Sequence, residues 1–474
     1  MIPKIIHQMW FGVKPMPIKL MNTWKEKHPD YEYILWTEEE VKRRGMVFKC
    51  QKKIDSMMDF VGTIDIMRWE ILEKYGGIYI DADSICLHPL DEYFNNKVAF
   101  AAYENEIIRK GLVATGTMGF IPHYQLCKDI IEWIYSDAAD ESMKKLRAWA
   151  SVGPGLLTKY LETGKYKDFS IYPSHCFLPA HFTGLLYKGH KKVYAYQYWG
   201  NTNHIYNIID TLEVPKVVLE PKFWVSLLIP SYNTSIHYIK ECLDSIMNQE
   251  CHIGIEIVWV NDGSIPESSA QLEKELEKFR RRTRFCKVVY HKLENHMGVA
   301  YAQNEGVKIC SNELIFRMDS DDIMMPDRIA KQIDFMRKNK DCVVCGGNIF
   351  MFTCNNSNEK TMLRRTEHPL TLSWDDFMKY RPSWFMNQPT LCMRKSAVLS
   401  VGNYNVDRGI QIGEDYELEL KLMHKYGKIH NIPDILLLYR IHKDQLTFQH
   451  DSDSTQMKKL QEDIIKDIIM IIEK

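Results

Sequence analysis

Two short apolar runs that each end in a pair of aspartates constrain this chain more than any other feature. The first is Ile78-Tyr79-Ile80 followed by Asp81-Ala82-Asp83; the second is Glu313 to Met318 followed by Asp319-Ser320-Asp321-Asp322. Gly76-Gly77 stops a helical pattern ahead of the first run, so a short buried strand is expected to start there. A strand that delivers two carboxylates past its C-terminal end belongs in an open α/β sheet, because ligands of such sheets sit at that edge. Hard oxygen ligands there suit Mg²⁺ or Mn²⁺, and those cations suit a phosphate-bearing substrate. Asp-x-Asp alone says little in a chain with 62 acidic residues. Asp451-Ser452-Asp453, for example, follows no strand and reads as solvated surface.

At 474 residues the chain exceeds one ordinary core, which predicts two domains. Strands are predicted at Ile2–Trp10, 31–36, 78–80, 98–103, 112–121 and Tyr194–Trp199, with helices at 19–28, 65–75, 125–135 and 156–162. Two prolines and alternating charges between Glu213 and Phe223 mark the boundary, and a new strand begins at Val225. The second half alternates strand and helix through Met318, as nucleotide-binding α/β folds do. The expected domains are 1–215 and 224–450, followed by a helical tail, 451–474. Its amphipathic part, Ile464 to Ile472, reads as packed on the domain, with a peripheral membrane contact as the alternative.

A net charge of −1 gives no reason to expect nucleic acid. The twelve scattered cysteines, the absence of a signal-peptide core after Met1 and the absence of an apolar run long enough for a bilayer predict a cytoplasmic protein. Cys342-Val343-Val344-Cys345 has metal-like spacing but no second pair, so a buried strand is expected. Asp65 and Arg68 share a helix face at i and i+3, as a surface ion pair or a ligand-binding pair. His7 and His204 read as structural. Tyr194, Tyr196, Tyr198 and Trp199 form either core or a sugar-stacking wall. Glu414-Asp415 after Gly413 is either a helix-terminal acidic pair or a carboxylate placed to act as a general base.

Residues 1–205 resemble the DXD sugar-transferase family, glycosyltransferase family 32. Ile2-Pro3-Lys4-Ile5-Ile6-His7-Gln8-Met9-Trp10, Asp65-Ile66-Met67-Arg68 and Gly76 to Asp83 carry the likeness, with Gly153-Pro154-Gly155 and Tyr172-Pro173-Ser174 in support. The resemblance implies that Trp10 stacks near the donor's base, that Asp65 and Arg68 hold the donor sugar, and that Asp81 and Asp83 meet the metal and the ribose-diphosphate. It departs at Gln197, where such enzymes commonly have histidine. Residues 224–450 are similar to glycosyltransferase family 2, through Ile229-Pro230-Ser231-Tyr232-Asn233, Asn261-Asp262-Gly263-Ser264, Asp319 to Asp322, Gly413-Glu414-Asp415 and Arg440-Ile441-His442. By that resemblance Pro230, Tyr232, Asp262 and Asp319 line the donor site, Asp321 and His442 bind metal, Arg440 contacts the diphosphate, and Asp415 is the catalytic base. Gln303 stands where the family usually has arginine.

The implied whole is α/β: two consecutive GT-A-type, Rossmann-like nucleotide-sugar-binding domains. The implied activity is a bifunctional hexosyl- or hexosaminyltransferase using a UDP- or GDP-sugar and Mn²⁺ or Mg²⁺. The first domain would transfer with retention and the second with inversion, onto a glycan, lipid-linked or protein acceptor. In the alternative only the second domain is catalytic and the first is a degenerate glycan- or nucleotide-binding module. A nucleotidyl- or phosphotransferase is disfavoured by the absence of a Gly-x-x-x-x-Gly-Lys-Ser/Thr loop.

Overall fold

The computed structural model describes residues 1–57, 60–90, 92–355, 357–382, 384–407, 413–445 and 454–472. Asp451-Ser452-Asp453 lies outside the described residues. The chain forms two compact units, Met1–Tyr187 with Val193–Val218, and Lys188–Lys192 with Leu219–Lys474. The short segment Lys188–Lys192 belongs to the second unit because Lys191 bridges Thr283 and the His190 Nε2 lies 2.7 Å from the Ile253 carbonyl.

The first unit contains strands β1 (Ile5–Met9), β2 (Glu32–Trp36), β3 (Gly77–Ile80), β4 (Ser84–Cys86), β5 (Ala99–Asn105), β6 (Arg109–Phe120), β7 (Phe169–Tyr172) and β8 (Ala195–Gln197). Six of them form one mixed sheet in the order β2-β1-β3-β6-β5-β7, and β4 pairs separately with β8. β1 and β3 run parallel, so both end at the same edge. Gly77 has φ 88°, and a Cβ there would lie 2.8 Å from the Ile5 carbonyl oxygen. Only glycine lets β3 enter the sheet this tightly. Side chains of β3 alternate faces: Tyr79 joins one core, and Ile78 and Ile80 the other.

The helix Phe60–Tyr75 starts five residues before the predicted 65 and is buried on nearly all sides. Asp65 and Arg68 therefore do not form a surface pair; their side chains are 3% and 5% exposed. The predicted strand Tyr194–Trp199 pairs only over Ala195–Gln197, because Trp199 turns to φ 57°.

The second unit adds β9 (Trp224–Ser231), β10 (Gly254–Asn261), β11 (Cys286–Lys292), β12 (Leu314–Arg317), β13 (Ile323–Met324), β14 (Val344–Cys354), β15 (Lys360–Arg365), β16 (Thr371–Ser373), β17 (Cys392–Arg394) and β18 (Lys428–Arg440). The sheet order is β11-β10-β9-β12-β17-β14-β18-β13, with β15 on β14 and β16 on β18. β11, β10, β9 and β12 are parallel, the wound half, and β17 onward mixes directions. Both faces are covered, so β10 is apolar almost throughout: Ile255, Ile257 and Trp259 join one core, and Val258 and Val260 the other.

Pro230 lies within β9. The Leu228 oxygen accepts from Met318, where pairing with β12 ends, so the missing Pro230 N–H breaks no ladder bond. The tail helix spans Ser454–Ile472, and Ile464, Ile465 and Ile468 bury in the core that holds Tyr416 and Leu420. Leu460 reaches within 3.1 Å of where a Gly413 Cβ would stand. The fold class is thus α/β of GT-A type, with mixed sheets.

Candidate active sites

In the second unit, β9, β10 and β12 bring Tyr232, Asp262 and Asp319 to one sheet edge. Asp262 is 2% exposed, and its two oxygens accept the backbone N–H groups of Met297 at 2.8 Å and Gly298 at 2.9 Å. The His296 Nδ1 is also 2.8 Å away. The His296 ring stacks on Tyr232 with centroids 3.8 Å apart, and Tyr232 is 46% exposed. Asp262 thus anchors a loop that carries an aromatic platform open to solvent.

Beyond β12 the carboxylates face different partners. Asp319 receives a hydrogen bond from the Arg317 Nη1. Asp321 Oδ2 is 2.9 Å from the His442 Nε2. Asp322 is fully buried; its Oδ1 accepts the Arg440 N–H at 2.9 Å, and its Oδ2 has no hydrogen-bond partner among the described residues. Burial, with Asp321 and Asp319 nearby, pushes the Asp322 carboxyl well above its usual range.

Arg440 is 1% exposed and engaged at every nitrogen: Nε donates to the Asp321 carbonyl, Nη2 to Glu241 and Nη1 to the Cys354 sulfur. It braces the carboxylate loop from within.

Glu414 and Asp415 open the helix Glu414–Tyr426, which follows Gly413 at φ 93°. Burial, then the adjacent Asp415, pushes the Glu414 carboxyl up to about 8. Burial also raises Asp415, and the Arg317 guanidinium opposes that rise. Gln303 fills the position where arginine is usual: it donates to Glu414 at 3.1 Å and accepts from Gln388 at 2.7 Å. Asn304 instead holds the Tyr404 carbonyl at 2.7 Å.

In the first unit, the Arg68 Nη2 pairs with Asp65 at 2.8 Å, and its Nη1 donates to the Thr115 carbonyl and lies 3.8 Å from Asp81. A Cβ on Gly153 would lie 2.4 Å from the Asp65 Oδ2, and one on Gly116 would lie 2.6 Å from the Asp81 Oδ2. Both glycines are thus close approaches that the carboxylates require. Asp81 accepts from the Tyr79 hydroxyl at 3.0 Å. Asp83 is 6% exposed and accepts the Gln197 amide N–H and the Gly200 N–H, each at 2.6 Å. Burial, then Asp81, pushes the Asp83 carboxyl up to about 7. Trp10 is partly exposed, donates to the Lys14 carbonyl and meets Tyr206 edge-on at 5.3 Å. Tyr206 in turn has its phenol raised by burial and by Asp83.

Among the described residues no three His, Cys, Asp or Glu side chains are grouped to hold a metal. Two protein ligands nevertheless fit Mg²⁺ or Mn²⁺ when substrate phosphates supply the rest. Asp321 and His442 form such a pair, with the buried, unpartnered Asp322 Oδ2 behind them. Asp81 and Asp83 offer hard oxygens, and a cation would relieve the mutual repulsion that raises Asp83.

His7 is structural: its Nε2 lies 2.9 Å from the Gly76 carbonyl and its Nδ1 accepts from the Trp36 indole. His204 sits in a turn at φ 55°. Cys342 and Cys345 are buried, and β14 begins between them. Sequence reasoning missed Arg317, His296 and Glu241. Arg317 carried a signal, since an arginine inside the apolar run before Asp319 is out of place in a strand buried on both faces.

Residues 226–400 match the family described as Glycosyl transferase family 2, and residues 17–100 match Glycosyltransferase sugar-binding region containing DXD motif. The chain is 30% identical over 223 residues to "Amylovoran biosynthesis glycosyltransferase AmsE" of Erwinia amylovora, spanning 47% of this chain and 77% of that protein. It is 31% identical over 164 residues to "Inositol phosphoceramide mannosyltransferase 3" of Schizosaccharomyces pombe, 33% of this chain and 44% of that one. The S. aureus TarS 1-349 structure in complex with UDP-GlcNAc aligns at TM-score 0.39 and 18% identity, covering 52% of this chain and 66% of that chain. The chain is a glycosyltransferase: it belongs to glycosyltransferase family 2, and it carries a DXD-containing sugar-binding region ahead of its family 2 region.

Proposed function

We propose that the chain performs two sugar transfers, each from a UDP- or GDP-sugar with Mn²⁺ or Mg²⁺, in the cytoplasm. The observation that carries the reading is in the second unit. There Asp321 faces His442 at 2.9 Å, while Asp319 and the Glu414-Asp415 pair lie under the influence of one buried guanidinium, Arg317. A bound cation would supply Lewis-acid stabilisation of the leaving diphosphate. Asp321 and His442 would hold it, Tyr232 and His296 would support the base, and Pro230 and Asp319 would border the donor. Arg440 positions Asp321 through its carbonyl. Asp415 takes the acceptor hydroxyl proton, with inversion.

In the first unit Asp65 and Arg68 hold the donor sugar, Trp10 borders the base, and Asp81 with Asp83 meets cation and ribose-diphosphate; transfer is with retention. We keep 1–215 and 224–450 as the functional domains and 451–474 as the tail, although Lys188–Lys192, inside the first bounds, belongs to the second compact unit. The S. pombe relative's name points to a phospholipid-linked acceptor, which we carry over as the first acceptor to try beside glycans and proteins.

The test is product analysis with Mn²⁺ and a panel of nucleotide sugars. Asp321→Ala removes one product and Asp83→Ala the other; retention of every product in both variants refutes the assignment. The Gln197 bond to Asp83 favours a second reading, in which the first unit binds sugar or nucleotide without turnover. Under it, Asp83→Ala leaves all products intact while Asp321→Ala removes them.

A further inference from the structure

Beside the carboxylates of the first unit lies a group of side chains that neither donor nor metal accounts for. Arg109, at the start of β6, places its guanidinium 5.0 Å from the Trp149 ring centroid and 5.5 Å from that of Phe182. Beneath it Glu104, 5% exposed, takes both Arg109 Nη1 at 3.2 Å and His181 Nε2 at 3.3 Å on its Oε1. The His181 and Phe182 rings pack edge-on against Trp199 at 5.4 and 5.2 Å.

The group joins the Asp-x-Asp site at two points. Trp199 directly precedes Gly200, whose N–H binds Asp83. The Trp149 Cα lies 3.2 Å from the position a Gly153 Cβ would take, and the Asp65 Oδ2 lies 2.4 Å from that same position. Trp149 is nevertheless 40% exposed, so this is a wall open to solvent and not core.

We infer that Trp149, Phe182, Arg109 and Glu104 form the subsite for the pyranose ring of the acceptor. Aromatic faces cover the apolar C–H face of a sugar, and the planar guanidinium and carboxylate read hydroxyl groups along its edge. Glu104 Oε2 is the acceptor that the geometry offers to a hydroxyl, and the Arg109 N–H groups are the donors. The inference rests on reading the first unit as a DXD sugar-handling unit, whether or not it turns over.

The experiment uses the full chain labelled with 5-fluorotryptophan, in which Trp149→Phe identifies the Trp149 ¹⁹F resonance. Methyl glycosides of mannose, galactose, glucose and N-acetylglucosamine are titrated in the presence of UDP and Mn²⁺. At least one glycoside is expected to shift the Trp149 resonance saturably, and Phe182→Ala and Arg109→Gln each weaken its binding about tenfold. A Trp149 resonance that no glycoside moves overturns the subsite, as does binding equally tight in both variants. Asp83→Ala separates the two readings: the Trp149 shift persists there, while product analysis of the same variant reports whether the first unit transfers sugar.

Discussion

Replacing Arg317 with methionine keeps the side-chain volume and removes one charge from the centre of the second unit's site. Arg317 is 2% exposed and bonded to Asp319, whose side chain is 29% exposed. Removing one member of a buried pair costs about 3–5 kcal/mol. Asp319 retains access to water, so the low end, about 3 kcal/mol, applies. For a unit of this size that corresponds to a Tm lower by roughly 6–12 °C. The kinetic effect is separate. Burial raises Asp415, and the Tyr416 N–H and then the Arg317 guanidinium oppose that rise. Without Arg317 the base stays protonated to higher pH, and the acid limb of kcat/KM for the Asp321-dependent product moves up. At a pH on the original limb the rate therefore falls. The assay is nucleoside diphosphate release against pH, beside thermal unfolding. A folded Arg317→Met enzyme with an unmoved acid limb refutes the reasoning and leaves Arg317 a purely structural residue. If methionine prevents folding, Arg317→Lys and Arg317→Gln make the same comparison: lysine keeps the limb in place and glutamine moves it.

His442→Ala removes a proposed ligand, and the apparent Mn²⁺ constant from a rate titration rises at least about tenfold, the cost of losing even an outer-shell partner. Glu414 has its pKa raised from 4.5 to about 8, so the folded chain holds a proton that the unfolded chain releases between those values. That part of the stability is full below pH 4.5 and falls as pH rises to about 8; Glu414→Gln flattens this part of the Tm–pH curve. Gly153→Ala drives a Cβ to within 2.4 Å of the Asp65 carboxylate, costs about 1–3 kcal/mol in thermal unfolding, and lowers the Asp83-dependent product without touching the Asp321-dependent one. Gln197→His gives the first unit an imidazole beside Asp83 and tightens Mn²⁺ binding, read by electron paramagnetic resonance in an Asp321→Ala background.

The parts of the site carried by strand ends were legible in the sequence, because an apolar run followed by carboxylates is a local pattern. Asp81, Asp83 and Asp319 to Asp322 follow their strands as that pattern requires. The pairing of Asp65 with Arg68 was also legible, but not its burial, since that depends on what packs around the helix Phe60–Tyr75. Contacts made by residues far apart in the chain left no local trace. Nothing near Asp262 announces that Met297 and Gly298 will bind it, and nothing near Arg440 announces Glu241. Aromatic alternation misled at Tyr198 and Trp199, where a demand for N–H donors at Asp83 bends the chain out of β8.

Both units return a late segment to the carboxylates that an earlier strand delivered, and the group each segment carries distinguishes the two sites. In the second unit the end of β18 brings back Arg440, whose N–H donates to the Asp322 Oδ1, and then His442, whose ring nitrogen faces Asp321. An imidazole nitrogen is a ligand for a divalent cation whenever it is unprotonated. In the first unit β8 brings back Gln197, whose amide N–H points at Asp83. An N–H donor cannot ligate a cation, whereas the amide oxygen can, and the two orientations differ by a half-turn of the side chain. With the oxygen turned toward an ionised Asp83, two acceptors face each other, and either a cation between them or a proton on Asp83 relieves the repulsion. On the proposed metal assignment, cation binding at the first unit is tied to the orientation of one amide, and at the second to removal of the proton that His442 Nε2 shares with Asp321. On that assignment the two sites differ in what each must give up to take a cation, even though both carry an Asp-x-Asp sequence at the same kind of strand end.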